Sequence, residues 1–131
     1  MNEPDRTTRV HGVYALADTS LLAAEQLLPR VESALIGGVA MVQYRDKSHD
    51  GARRYDEAKA LRDLCWRHRA VFIVNDDIDL AERVGADGVH LGRDDASPAV
   101  ARERLGPDAL IGATCYNQIE LAAPALAAGA D

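Results

Sequence analysis

The run Val42-Gln43-Tyr44-Arg45-Asp46-Lys47 carries the most chemistry per residue in this chain. It closes an apolar stretch, Val39-Ala40-Met41-Val42, that reads as a buried parallel strand. Side chains alternate along a strand, so Gln43, Arg45 and Lys47 fall on one face. Two cations and an amide at a strand's end are costly to bury without a partner. An anion is the natural partner, and the spacing suits a phosphate or a diphosphate. The plainer reading is a strand that frays into solvent.

Two acidic clusters follow, Asn75-Asp76-Asp77 and Arg93-Asp94-Asp95, each after another apolar run. Either doublet alone is explained by helix capping. Asp77 fits as the cap of a helix from Ile78, and Asp95 or Ser97 as the cap of one at Pro98. The combination says more. Carboxylates aimed at an anion would repel it by roughly 4 kcal/mol per unit pair at about 4 Å and an effective dielectric of about 20. A divalent cation between them reverses the sign. One or two carboxylates plus phosphate oxygens is the usual way of holding Mg²⁺. Asp76 and Asp95 therefore read as Mg²⁺ ligands, with Arg45 and Lys47 neutralising the outer oxygens of a diphosphate.

Thr114 ends a further strand, and its hydroxyl would face the same mouth as a substrate ligand; β propensity alone would also explain a threonine there. His90 lies inside a strand, where a lone histidine is more often packed than catalytic. His11, His49 and His68 read as surface residues. No Ser/His/Asp or Cys/His arrangement and no zinc spacing is evident.

The elements that position these groups alternate in type. Strands are expected at 13–17, 39–44, 71–74, 88–91 and 110–114. Helices are expected at 21–36, 53–68, 78–84, 98–105 and 118–128, the first with Pro29 restarting a helix at its first turn. Arg54, Ala58, Leu61 and Cys65 line one stripe of the second helix, with Tyr55 and Leu64 beside it. A helix, glycine, turn and strand recur at Gly37, Gly85, Gly106 and Gly129. This is the grammar of a parallel α/β sheet. No GxGxxG follows the first strand, and polar residues gather after several strands rather than at one switch point. A (β/α)₈ TIM-barrel type is therefore expected over residues 12–131, after a polar lead-in at 1–11 whose first part, Met1 to Arg9, is expected to be disordered. Only five β/α units are present. Gly129-Ala130-Asp131 repeats the wording of Gly85-Ala86-Asp87, which precedes a strand. The expectation is the N-terminal part of a barrel, cut before strand six.

Bulk properties narrow the function classes. The formal net charge of −6 excludes a broad basic surface for nucleic acid. No apolar run approaches the roughly 20 residues of a membrane span. Cys65 and Cys115 read as free thiols, which points to the cytoplasm. The oligomeric state is not legible.

The segment at 42–47 resembles the QxRxK segment of thiamine-phosphate synthases. Val74-Asn75-Asp76-Asp77-Ile78-Asp79-Leu80-Ala81 with Gly85-Ala86-Asp87-Gly88-Val89-His90-Leu91-Gly92 resembles their longest motif, and Ile111-Gly112-Ala113-Thr114-Cys115 their strand-five segment. The resemblance implies a (β/α)₈ barrel that joins 4-amino-2-methyl-5-(diphosphooxymethyl)pyrimidine to a thiazole phosphate, giving thiamine phosphate and diphosphate. It implies substrate binding by Gln43, Tyr44, Arg45, Asp46, Lys47, Asn75 and Thr114, catalysis by Arg45 and Lys47, and Mg²⁺ on Asp76 and Asp95. Thr114 stands where the family usually has serine, and keeps the hydroxyl. The family's lysine-containing loop after strand six and the glycine loops for the thiazole phosphate have no counterpart here, so this length alone is not expected to complete the reaction. Two other readings remain: a thiazole tautomerase relative, whose kind tends to lose the glutamine and the second acidic pair, and a non-catalytic barrel piece that binds Mg²⁺ and phosphate.

Overall fold

A computed structural model describes residues 6–131. Five parallel strands form one sheet in the order β1 to β5: β1 (Tyr14–Asp18), β2 (Met41–Arg45), β3 (Val71–Asn75), β4 (Gly88–Leu91) and β5 (Leu110–Ala113). Helices α1 (Ala24–Ile36), α2 (Gly51–Arg67), α3 (Ile78–Val84) and α4 (Pro98–Leu105) alternate with them. The short α5 (Ala122–Ala127) follows a 3₁₀ turn at Ile119–Leu121. The strand order never reverses, so the sheet has no switch point of the doubly wound kind.

The alternation along each strand decides the layers. Ala17, Val42, Tyr44, Phe72, Val74, Val89, Leu91 and Ile111 point to one face and pack on Leu27, Leu61, Ala81 and Ala101 from the four helices. All four helices therefore cover the same side. The other face carries Leu16, Gln43, Ile73, His90 and Gly112. There, Met41, Ile73 and Leu110 make a small second cluster, whereas Leu16 on β1 is 57% exposed.

Local chemistry explains most helix ends. The Asp77 carboxylate accepts from the Leu80 N–H and starts α3, and Gly85 ends it at φ 65°, a left-handed conformation that glycine adopts without strain. Ser97 caps α4, with Pro98 at the first turn. Two expectations fail at α1. It starts at Ala24, because Asp18 and Leu21 close a turn first. Pro29 sits inside the helix rather than at a first turn. The expected helix at 118–128 splits in two, and Pro124 falls in the first turn of α5, where its missing N–H costs nothing. Arg54, at the start of the apolar stripe of α2, pairs with Asp77 at 3.1 Å.

The repeated Gly-Ala-Asp is a repeated structure. Asp87 donates its N–H to the Phe72 carbonyl at 2.9 Å and accepts the Phe72 N–H on its carboxylate at 2.8 Å. Asp131 does the same with Ile111, at 2.8 and 2.9 Å. Each aspartate thus locks on to one edge of a neighbouring strand. The expected lead-in is ordered from Arg6, as a 3₁₀ turn over Arg6–Arg9, while 1–5 lie outside the described residues. Arg9 pairs with Asp87, and Arg6 with Asp131 at 2.9 Å. Cys65 and Cys115 are both free. Among the described residues, no helix is long and apolar enough to cross a membrane.

Candidate functional site

The site lies at the C-terminal ends of the strands, on the face turned away from the helices. The register sets one level of it. Asp18 pairs with Arg45, Asn75 with His90, and His90 with Gly112. Tyr44 pairs with Val74, so Arg45 and Asn75 follow at the next step. One row therefore crosses the sheet, with Gln43 below it and Thr114 above it.

Gln43 is 4% exposed, and its side-chain amide donates to the Tyr14 hydroxyl at 3.0 Å. Burial pushes the Tyr14 phenol up, partly offset by that bond from Gln43, so it remains a neutral acceptor. Arg45 donates to Asp18 at 2.8 Å. The Asp18 carboxyl is held below its usual range, chiefly by the Ser20 hydroxyl and N–H and further by Arg45. Neither Tyr14 nor Asp18 stood out in the sequence. Both sit on β1, and only the pairing of β1 with β2 reveals their role.

Lys47 extends from the loop after β2 and bonds the Asp76 carboxylate at the end of β3. Asn75 also donates to that carboxylate, at 3.1 Å. Asp76 adopts φ 54°, and its N–H bonds the His90 carbonyl at 2.8 Å. A left-handed conformation is uncommon outside glycine but is tolerated by aspartate. It swings the chain sharply after β3, so Asp76 returns to the mouth while Asp77 caps α3. Of the two neighbouring aspartates, one thus meets Lys47 and Asn75 and the other caps a helix.

Asp95 accepts from the Gly92 N–H at 2.6 Å and closes the loop after β4. The expected cap of α4 is therefore Ser97 and not Asp95. Thr114 meets His90 across the sheet, with 2.8 Å between its hydroxyl and the ring Nε2. Asp95 and Thr114 also border a depression of about 360 Å³ between α4 and α5.

Two of the expected substrate-binding residues in the 42–47 segment do not face the mouth. Tyr44 points into the helix layer at 1% exposure and donates to Glu57 at 2.5 Å. Asp46 is 4% exposed and accepts from Thr19, from the Ser48 N–H and from Arg53, at 2.9, 2.7 and 2.8 Å. Burial alone would raise the Asp46 carboxyl, but these donors outweigh it and hold the carboxyl below its usual range. The expectation that Tyr44 and Asp46 touch substrate is thus corrected. Alternation sends them to the other face, where they brace the β2–α2 loop that carries Lys47.

The oxygen donors suit Mg²⁺. Asp76 and Asp95 are hard anionic ligands, and among the described residues no three His, Cys, Asp or Glu converge as a complete cage. Mg²⁺ needs no such cage when phosphate oxygens and water complete its octahedron. Arg45 and Lys47 would face a polyanion, and Asp76 and Asp95 would hold a divalent cation that adds positive charge beside it.

Comparison with known proteins covers nearly the whole chain. A family described as thiamine monophosphate synthase matches residues 13–131. The thiamine-phosphate synthase of Chromobacterium violaceum is 58% identical over 122 residues, covering 93% of this chain and 58% of the relative. That of Thioalkalivibrio sulfidiphilus is 53% identical over 123 residues, covering 94% and 58%. A solved thiamine phosphate pyrophosphorylase from Pyrococcus furiosus superimposes with a TM-score of 0.80 at 36% identity, over 90% of this chain and 56% of that one. The chain thus spans somewhat over half the length of the relatives it matches. On the family match and these identities, the chain belongs to the thiamine monophosphate synthase family.

Proposed function

We propose that this chain carries the pyrimidine-diphosphate and Mg²⁺ half of a thiamine-phosphate synthase site, set on a sheet that is a sector of a (β/α)₈ barrel. The sequential strand order, with every covering helix on one side, supports the barrel reading. One observation carries the site reading: Lys47 from the end of β2 reaches Asp76 at the end of β3, so cation and carboxylate share one mouth.

Gln43, Arg45, Lys47, Asn75 and Thr114 would hold the diphosphate-bearing pyrimidine. Asp76 and Asp95 would hold Mg²⁺. When bound, Mg²⁺ supplies positive charge to the departing diphosphate oxygens. Arg45 and Lys47 supply the rest, Arg45 through two parallel N–H bonds and Lys47 as a point charge. The bond from the pyrimidine's methylene carbon to the diphosphate oxygen breaks, and the aminopyrimidine ring carries the positive charge. The thiazole nitrogen then donates its lone pair to that carbon. No proton moves in this step, so the step itself needs no general base. Such an enzyme would act on small molecules in the cytoplasm, with neither nucleic acid nor membrane as partner.

Calorimetry tests the reading. The chain should bind the pyrimidine diphosphate in the presence of Mg²⁺ and not bind the thiazole phosphate alone. The reverse preference would favour a thiazole tautomerase, and no binding of either would leave a piece without an activity of its own.

A further inference from the structure

We infer that His90 is a positioning residue that fixes the direction of the Thr114 hydroxyl bond, by donating from Nε2 so that Thr114 presents its own proton to the diphosphate. The inference rests on the diphosphate reading of the site.

Three observations carry it. First, His90 Nε2 and Thr114 Oγ1 are 2.8 Å apart, across two neighbouring strands. Second, the sheet is built to admit the ring. Gly112 is the register partner of His90, and a methyl group added there would collide with the ring at Nδ1. With no side chain on Gly112, the imidazole lies over that strand and reaches two residues further, to Thr114. Third, the ring sits in the row that also holds Arg45 and Asn75, so what it fixes is a group at the mouth.

The direction of the bond follows from the ligand's chemistry. An ionised diphosphate offers only acceptors in its outer oxygens. A threonine hydroxyl has one proton and two lone pairs. If that proton goes to His90, the hydroxyl meets the diphosphate with lone pairs, and repels it. If Nε2–H donates instead, the proton is left for the anion. A neutral ring carries its proton on one nitrogen only, so the tautomer decides what Thr114 can do.

The test has two arms. Nitrogen-15 spectra of the labelled chain should show His90 protonated at Nε2, and a Thr114→Val variant should shift that signal. Protonation at Nδ1 would overturn the inference. In the second arm, Mg²⁺ with inorganic diphosphate is titrated into the wild type, His90→Gln and His90→Leu. Glutamine can place an N–H near the position of Nε2, whereas leucine fills space and donates nothing. Glutamine should bind within about threefold of wild type and leucine at least tenfold more weakly, with circular dichroism confirming the fold of each. Equal binding by all three would overturn the inference and leave the diphosphate reading intact. No binding by the wild type would sink that reading and this inference with it, whatever the tautomer.

Discussion

Lys47, at the end of one strand, bonds the carboxylate of Asp76 at the end of the next. Each therefore neutralises the other without a ligand. On the proposed reading, a diphosphate with Mg²⁺ would require the two to part, the ammonium serving the phosphate oxygens and the carboxylate the metal. The pair leaves the site nearly balanced in charge, and the proposed ligand would replace both halves of it.

Separate loss of the two partners should read out differently. Lys47→Ala is expected to weaken diphosphate binding at least tenfold while leaving Mg²⁺ binding equal or tighter, because Asp76 loses its competing cation. Titration of the variant with Mg²⁺ alone, and then with diphosphate, checks both. Weakened Mg²⁺ binding would contradict it.

Tyr14 sets the orientation of Gln43 through the bond to its hydroxyl. Tyr14→Phe removes the acceptor and leaves a buried amide donor unpaired. A cost of about 1–3 kcal/mol in unfolding free energy is expected. Urea unfolding measures it, and a loss below about 0.5 kcal/mol would mean that Gln43 finds another partner.

Asp46 braces the β2–α2 loop from behind. Its folded-state carboxyl lies below the usual range, so its contribution to stability is present above the unfolded value of about 3.9 and disappears as pH falls through the folded value. Asp46→Asn should cost about 1–3 kcal/mol at neutral pH and flatten the loss of stability below about pH 4. Urea midpoints from pH 2.5 to 7 test this. An unchanged acid slope would assign that slope to other carboxylates, such as Asp18 or Asp131.

Gly112→Ala should set a methyl against the His90 ring. A destabilisation of about 1–3 kcal/mol is expected, with displacement of His90 from Thr114. Loss of the perturbed histidine signal in proton spectra checks the displacement. A variant of native stability and unaltered signal would show that the ring has room elsewhere.

Elements were legible in the sequence where both ends carry local signals. Helices α3 and α4 fall on the expected residues because Asp77 and Gly85 bound one, and Ser97, Pro98 and Gly106 the other. The start of α1 has no capping side chain, and the turn at Asp18 delayed it. Within the site, alternation along β2 correctly put Gln43 and Arg45 on one face. The same alternation sends Tyr44 and Asp46 to the other, a consequence not drawn from the motif alone. Tyr14, Asp18 and Glu57 were illegible for a different reason. Each is defined by a contact with a residue 13 to 29 positions away, made through strand pairing or helix packing. His90 showed a partial signal, since a histidine inside a strand, level with a glycine on the next, already implies a ring crossing that strand.

The most direct measurement compares wild type with Asp76→Asn, titrated with the pyrimidine diphosphate with and without Mg²⁺. Asparagine tolerates the left-handed backbone at this position and keeps the shape of the side chain, so the change removes charge and little else. The wild type should bind at least tenfold more tightly with Mg²⁺ than without, and the variant should lose that difference. A variant that keeps the full metal dependence would contradict the account, and would leave Asp76 as a partner for Lys47 and nothing more.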